Sequence, residues 1–166
     1  MMAVKFLLAA ALLAPLPAIA APAPAAQLSA ADRTAAFRAG GFRRVGAQWR
    51  LCDDPGTASY VPGTIESVAD LNGDGLPEAI ITESSGFCHG NTGQGFVLVS
   101  KQRGGAWRKM TEGSGLVTPL AARGIGGWPD LEIGGPGFCF PVHRWNGTAY
   151  VLQRHQYHGR RCRPPR

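Results

Sequence analysis

The stretch that decides the fold reads Asp-Leu-Asn-Gly-Asp-Gly-Leu-Pro-Glu over residues 70–78 and continues into apolar residues at 79–81. Oxygen-bearing side chains stand at positions 1, 3, 5 and 9 of this stretch, namely Asp70, Asn72, Asp74 and Glu78. Alternate spacing in a tightly wound loop turns such oxygens towards one point, and Leu76 can add its backbone carbonyl. Calcium binds six to eight oxygens at about 2.3–2.6 Å. The stretch therefore predicts a calcium loop that leads into a β-strand.

This loop differs from an EF-hand, because position 12 is Ile81 rather than glutamate and a strand follows it instead of a helix. The stretch resembles the FG-GAP or VCBS-type repeat, which is the blade motif of integrin-like β-propellers. The family signature is Asp-x-Asn-Gly-Asp-Gly, then two residues, an acid and an aliphatic strand. The resemblance implies a calcium-stabilised β unit in an extracellular or periplasmic protein. The implied calcium ligands are Asp70, Asn72, Asp74, Leu76 and Glu78.

The chain also contains a degenerate second copy of the motif near 122–133. Residues 75–81 match 127–133, and the Gly-Phe-Cys triplet at 86–88 recurs at 137–139. The sequence therefore predicts two repeats of roughly fifty residues each, at about 64–112 and 116–157. In the second copy the first three ligand positions are taken by Ala122, Gly124 and Gly126, and only Asp130 remains. We therefore expect one bound calcium ion, with a structural role.

Composition independently favours a mainly β fold. The 166 residues include 23 glycines and 13 prolines, and only 17% are charged. These values argue against a coiled coil, a helical bundle or a highly charged disordered chain. One short helix is expected at about 30–39, where Ser29 is the N-cap and Gly40 ends the helix. Strands are expected at 64–70, 78–83, 95–101, 106–111, 130–133, 139–145 and 149–156.

A closed propeller needs at least four blades, so two repeats cannot form one. The expected architecture is therefore a compact sandwich or two packed blade-like antiparallel sheets with one short N-terminal helix. Residues 29–163 are predicted to form this single domain.

The first residues are typical of export. Residues 1–20 combine Lys5, an apolar run and Ala18-Ile19-Ala20, which together predict a cleaved signal peptide. The apolar run is too short for a membrane anchor and is followed by prolines. Residues 21–28 are expected to be a disordered leader. The mature protein is therefore expected to be periplasmic or secreted, with no integral membrane segment after signal removal.

Export makes the four cysteines, which are Cys52, Cys88, Cys139 and Cys162, candidates for disulfide bonds. None of them forms a Cys-x-x-Cys pair, which disfavours zinc or redox chemistry. Pairing 52–88 with 139–162 is favoured because each bond closes a local loop. A bond between residues 88 and 139 stays open as an alternative, since these cysteines occupy equivalent positions in the two repeats.

Charge is segregated along the chain, although the formal net charge is only +6. Residues 51–100 contain seven acids and no lysine or arginine, whereas 101–166 contain eleven basic residues and three acids. The basic residues are scattered through predicted strands, apart from the arginines of the C-terminal tail. A solvated tail explains that cluster, so nucleic-acid binding is not expected. The acidic block could serve an inhibitor of a cationic enzyme.

No catalytic motif is present, and we assign no catalytic residue. The histidines lack zinc-type spacing, and neither Gly-x-Ser-x-Gly nor a Walker loop occurs. Four aromatic residues around a glycine-rich turn form a candidate ligand groove or part of the core: Trp128, Phe138, Phe140 and Trp145. The sequence thus predicts a calcium-binding module with a protein or glycan partner in the cell envelope or outside it. The alternatives are a periplasmic inhibitor of a cationic enzyme and a secreted hydrolase with an unrecognised site.

Overall fold

A computed structural model describes residues 28–164, which form two short helices and eleven strands. The N-terminal part comprises α1 (Ala30–Ala39), β1 (Arg43–Val45) and β2 (Gln48–Arg50). The first large sheet contains β3 (Val61–Ala69), β4 (Glu78–Ser84), β5 (Gln94–Lys101) and β6 (Trp107–Ser114), with α2 (Gly86–His89) between β4 and β5. The second contains β7 (Leu116–Arg123), β8 (Pro129–Gly134), β9 (Phe140–Trp145), β10 (Tyr150–Tyr157) and β11 (Arg160–Arg161).

Both large sheets are antiparallel meanders. The strand order is β3-β4-β5-β6 in the first sheet and β11-β10-β9-β8-β7 in the second, and β1 pairs with β2 in a separate hairpin. Within each sheet, strands that follow one another along the chain are therefore neighbours, as in the blades of a propeller. This architecture confirms the predicted mainly β fold with blade-like antiparallel sheets and a short N-terminal helix.

The first sheet is the middle of three layers. Ala79 and Ile81 pack with Phe37 of α1 in one apolar cluster. Ile80, between them, packs with Trp128 of the second sheet in another cluster. Alternate residues of a strand point to opposite faces, so a strand covered on both sides is apolar at every position. The apolar run after residues 70–78, which we call the acidic loop, therefore forms the inner strand β4 of the first sheet.

The predicted helix and all seven predicted strands are present, with ends within three residues of the expected ones. The Ser29 hydroxyl accepts a hydrogen bond from the Asp32 N–H at 3.1 Å, which caps α1. Strand β7 was not predicted, because Pro119 interrupts its pattern. It lies at the edge of the second sheet, where proline is tolerated. The domain and repeat limits stay predictions.

Two disulfide bonds join Cys52 to Cys88 and Cys139 to Cys162, which confirms the favoured pairing and excludes the bond between residues 88 and 139. The buried carboxylate of Glu83 accepts the backbone N–H groups of Leu51 and Cys52, both at 2.9 Å. These bonds hold the segment before the first disulfide against β4.

The predicted signal peptide and residues 21–27 of the predicted leader lie outside the described residues. Within 28–164, no helix is both long and apolar enough to cross a membrane.

Candidate functional site

The predicted calcium loop connects β3 to β4 and is wound around the carboxylate of Asp70. One carboxylate oxygen of Asp70 accepts the N–H groups of Gly73 at 2.7 Å and Asp74 at 3.1 Å, and the other accepts that of Gly75 at 2.9 Å. Gly73 and Gly75 have φ angles of 80° and 85°. Residues with a Cβ rarely adopt such angles, so both glycines are required for the winding.

The next two polar side chains continue the same pattern. Asn72 Oδ1 accepts the Asp74 N–H at 2.9 Å, and Asp74 Oδ1 accepts the Leu76 N–H at 2.9 Å. Asn72 Nδ2 also donates to Asp74 Oδ2 at 3.2 Å. The loop's own backbone therefore gathers two carboxylates and one amide on a single turn.

Glu78 is only 1% exposed and lies at the start of β4. Its two oxygens accept the Leu71 N–H at 2.7 Å and the Ser100 hydroxyl at 2.8 Å. Burial raises the pKa of Glu78 above its ordinary value, and the charges of Asp74 and Asp70 raise it further, against the effect of those hydrogen bonds. Burial and the two neighbouring acids therefore both disfavour the charged form of this carboxyl.

The oxygens of this loop suit calcium chemically, because hard cations prefer carboxylate, amide and carbonyl oxygens as ligands. The predicted ligands are the side chains of Asp70, Asn72, Asp74 and Glu78 and the carbonyl of Leu76. Within the described part of the chain, no three His, Cys, Asp or Glu side chains form a ready-made metal cluster. Calcium binding thus stays a prediction.

Asp130, the acid that remains in the predicted second repeat, has a different environment from that of Glu78. Asp130 is fully buried and accepts three hydrogen bonds from guanidinium groups, two from Arg144 and one from Arg154. Burial by itself raises the pKa of Asp130, but the hydrogen bonds and charges of the two arginines outweigh it and lower the pKa. Protein cations therefore neutralise this acid. Sequence analysis missed both arginines, because they lie 14 and 24 residues away along the chain.

The second sheet and its β7–β8 connection also contact the acidic loop directly. The Arg123 guanidinium donates to the carbonyl of Leu71 and, at 3.2 Å, to that of Gly127. A Cβ at Gly127 would lie 2.3 Å from the Asn72 carbonyl oxygen, so only glycine allows this close approach. The two sheets are therefore joined at the loop as well as through the apolar cluster between them.

The four aromatic residues of the candidate groove divide into two pairs. Trp128 and Trp145 are 8% and 6% exposed and contact each other within the core between the sheets, with ring centroids 5.9 Å apart. Phe138 and Phe140 both contact Tyr157 instead, at 6.2 and 6.0 Å, and Phe138 is 63% exposed. The tryptophans thus have a packing role, and the exposed aromatic surface is formed around Tyr157.

The acidic block of residues 51–100 does not form a single charged face. Three of its seven acids, namely Asp54, Glu78 and Glu83, are buried. Asp54 accepts hydrogen bonds from Ser85 and Thr57 hydroxyls, and Glu83 accepts one from the Tyr60 hydroxyl. These buried acids hold loops in place through hydrogen bonds, and they add no charge to the protein surface.

One polar pair was not anticipated from the sequence. His89 Nδ1 lies 3.0 Å from the Ser114 hydroxyl, beside a cavity of about 260 Å³. The His89 ring lies against Gly95, where a Cβ would be 2.3 Å from the ring. Its Nε2 atom is buried and has no hydrogen-bond partner among residues 28–164. The two residues are 25 positions apart, so no sequence motif could show their contact.

Comparison with protein families gives a match within the first sheet. Residues 62–100 match the family model of the FG-GAP repeat, which covers most of β3, the acidic loop, β4 and most of β5. The chain therefore contains an FG-GAP repeat, and the resemblance of the motif is confirmed. No significant match was found among curated proteins or among solved structures.

The FG-GAP repeat suggests a β-propeller-like binding module. The two disulfide bonds are typical of proteins that fold outside the cytoplasm.

Proposed function

We propose that this chain is an exported calcium-binding β-repeat protein, periplasmic or secreted, that acts as a binding module with a structural calcium ion. The observation that carries the proposal is the acidic loop, whose backbone gathers Asp70, Asn72 and Asp74 on one turn. The FG-GAP match over 62–100 supports it, because this loop lies within the matched segment.

Bound calcium would supply positive charge at this turn. Asp70 and Asp74 lie close enough to the buried Glu78 to raise its pKa, so the three carboxyls repel one another when ionised. Leu71 and Asn72 of the same loop contact the second sheet through Arg123 and Gly127. Neutralising the loop therefore stabilises both β4 and the junction between the two sheets.

Thermal unfolding with excess calcium and with a chelator tests this role. A ligand that binds only the folded state adds about 2.7 kcal/mol at a hundred times its Kd. Extracellular calcium modules commonly bind in the range of about 10⁻⁴–10⁻³ M. We expect calcium to raise the Tm of the wild type but not that of Asp74→Asn.

The matched control is Glu66→Gln, which removes an exposed acid from the neighbouring strand β3. This variant should keep the calcium-dependent rise in Tm. An unchanged wild-type Tm in millimolar calcium, or an equal loss in both variants, contradicts a specific site in the loop.

The partner is proposed to be a protein or glycan of the cell envelope or the extracellular space, with no role for nucleic acid. Capture from envelope extract with and without calcium separates a calcium-dependent partner from a calcium-independent one. An inhibitor of a cationic enzyme is less well supported, because three of the seven acids in the acidic block are buried.

A secreted hydrolase is the second candidate, and the contact between His89 and Ser114 beside a cavity favours it. A serine nucleophile needs a neighbouring base, and that base is ordinarily oriented by a third group. The unpartnered Nε2 atom means that residues 28–164 provide no such third group. Hydrolysis of generic ester or glycoside substrates that is lost in Ser114→Ala would establish this function, and no turnover would exclude it for those substrates.

A further inference from the structure

We propose that the second sheet carries a binding site for an acidic polysaccharide, formed by two adjoining cavities that are lined with arginines. The inference deepens the proposed function, because it specifies the glycan partner. Neither cavity includes a residue of the acidic loop, although Arg123 of the first cavity donates to the Leu71 carbonyl of that loop.

The two cavities adjoin at one residue of β10. The first has a volume of about 480 Å³ and is lined by Arg123, Arg144 and apolar residues. The second has a volume of about 440 Å³ and is lined by Arg154, Arg161 and Arg163. Gln153 lines both cavities, so they adjoin at this residue, and we call the two cavities together the arginine groove.

Little negative charge offsets these arginines. Asp130, which is fully buried, is already bound by Arg144 and Arg154, and Glu132 accepts a hydrogen bond from Gln156. No acid occurs after Glu132 in the sequence. Arg144 and Arg154 therefore share one buried acid, and Arg161 and Arg163 have no ion-pair partner within residues 28–164.

Two of the arginines are held in place and still have donors available. Arg144 uses Nε and Nη2 on Asp130, and Arg154 uses Nη1 on Asp130 and Nε on Gln156. Arg144 Nη1 and Arg154 Nη2 have no hydrogen-bond partner within the described residues. A guanidinium that is already oriented loses less conformational entropy when it binds an anion.

The exposed arginines of the second cavity complete the site. Arg161 and Arg163 are both exposed, and neither has a hydrogen-bond or ion-pair partner in the described part of the chain. Guanidinium groups bind carboxylate, sulfate and phosphate with two parallel hydrogen bonds. Charges distributed over two cavities fit a chain of repeated anions better than one small ion.

The walls of the groove favour a sugar chain over other polyanions. Ile125 and Val151 are 61% and 42% exposed and line the first cavity, where they can contact the C–H faces of sugar rings. Trp145, the aromatic residue of that cavity, is only 6% exposed and offers no platform for stacking bases. A concave groove also fits a flexible chain better than a planar lipid surface does.

Binding of a fluorescent alginate hexasaccharide to the mature protein tests the proposal, with maltohexaose as the neutral control probe. We expect the alginate probe to bind and the neutral sugar not to bind. Raising the salt concentration from about 0.01 M to about 1 M should abolish binding, because the Debye length falls from about 30 to about 3 Å.

Two double variants of equal net charge locate the site. Arg161→Gln/Arg163→Gln should weaken alginate binding roughly tenfold, as expected for the loss of charge-assisted hydrogen bonds. Arg38→Gln/Arg103→Gln removes two exposed arginines outside the groove and should change the affinity by less than about twofold. Both pairs are exposed, so neither variant removes a core contact.

Several results would overturn the inference. Equal losses in the two double variants would mean that binding follows net charge alone, and equal binding of maltohexaose would exclude recognition of the acid groups. Tighter binding of a DNA duplex or of anionic phosphatidylglycerol vesicles, with the same dependence on Arg161 and Arg163, would reject a polysaccharide as the ligand. If alginate binds in the presence of chelator and calcium does not change the Tm, the calcium proposal is rejected and this inference stands. A calcium-dependent Tm without alginate binding would reject this inference alone.

Discussion

Asp130 and Arg144 form a two-point ion pair, in which Arg144 Nε donates to one carboxylate oxygen at 2.7 Å and Nη2 to the other at 3.0 Å. Arg154 adds a third hydrogen bond at 2.7 Å. In the predicted alignment of the two repeats, Asp130 occupies the position that corresponds to Glu78. Two arginines thus neutralise Asp130, and we propose that calcium neutralises the acidic loop around Glu78.

Asp130→Asn should lower the free energy of unfolding by about 3–5 kcal/mol, because it leaves two guanidinium groups without their buried counter-charge. The control is Asp53→Asn, which breaks the pair with Arg43 at a side chain that is 85% exposed. Exposed pairs contribute less than about 1 kcal/mol. Urea unfolding followed by circular dichroism measures both variants, and similar losses would show that Asp130 has no special role in stability.

The pH dependence of stability should include a contribution from Asp32. Hydrogen bonds from Lys101 and Trp107 lower the pKa of Asp32 from 3.8 to about 2. A lowered pKa in the folded state means that the contribution is present above about pH 3.8 and is lost as pH falls through about 2. As the pH falls from about 3.8 to about 2, the free energy of unfolding should therefore decrease less in Asp32→Asn than in the wild type.

The urea midpoint measured from about pH 2 to about pH 6 shows this difference. Other carboxyls with lowered pKa values, among them Asp54 and Asp130, contribute to the slope in wild type and variant alike. Glu112→Gln, which removes an exposed partner of Lys109, is the control and should leave the slope unchanged. A variant slope equal to that of the wild type would contradict the role of Asp32.

Removing either disulfide bond should lower the free energy of unfolding by about 2–4 kcal/mol. The bonds Cys52–Cys88 and Cys139–Cys162 close loops of 36 and 23 residues. Loop entropy rises slowly with loop length, so the two serine double variants should differ by less than about 1 kcal/mol. Urea unfolding under non-reducing conditions measures both effects, and wild-type stability in either variant would contradict this expectation.

Gly127→Ala should disrupt the junction between the acidic loop and the second sheet. A Cβ there would lie 2.3 Å from the Asn72 carbonyl oxygen, whereas a Cβ at Gly126 meets nothing closer than 3.6 Å. Both glycines have positive φ angles, 77° and 65°, so Gly126→Ala has similar backbone strain without the clash.

Thermal unfolding should therefore show a clearly lower Tm for Gly127→Ala than for Gly126→Ala. Equal Tm values would mean that the loop moves away from the second sheet without cost. If calcium binds the loop, its effect on Tm should be reduced in Gly127→Ala, because the clash displaces the carbonyl next to the ligands.

Leu131→Ala tests the apolar cluster between the sheets. Leu131 is fully buried in that cluster, and deletion of a buried leucine side chain costs about 2–5 kcal/mol. Leu152→Ala is the matched control in the same sheet, because Leu152 is 55% exposed. Its substitution should cost about 0.5 kcal/mol or less. Chemical unfolding distinguishes the two variants, and equal costs would place the core elsewhere.

Local sequence patterns determined much of this protein. The capping residue and helix stop around residues 30–39 gave the bounds of α1, and glycine turns between apolar runs gave seven strands. The signature over 70–78 identified the FG-GAP repeat, whose family model matches 62–100. These features depend on neighbours along the chain, so spacing and backbone preference suffice to predict them. The two disulfide bonds were favoured for a similar reason, because each closes a short loop along the chain.

Only the tertiary structure decided which distant residues meet. It buried Trp128 and Trp145 between the sheets, placed Arg144 and Arg154 on Asp130, and brought His89 to Ser114. Strand β7 depended on its position at the sheet edge, where Pro119 is tolerated. The pairing of strands and the packing of two sheets set these contacts, and neither is encoded in the spacing of residues along one segment. Sequence alone therefore determined the repeat unit, and tertiary packing decided how charge is distributed and neutralised around it.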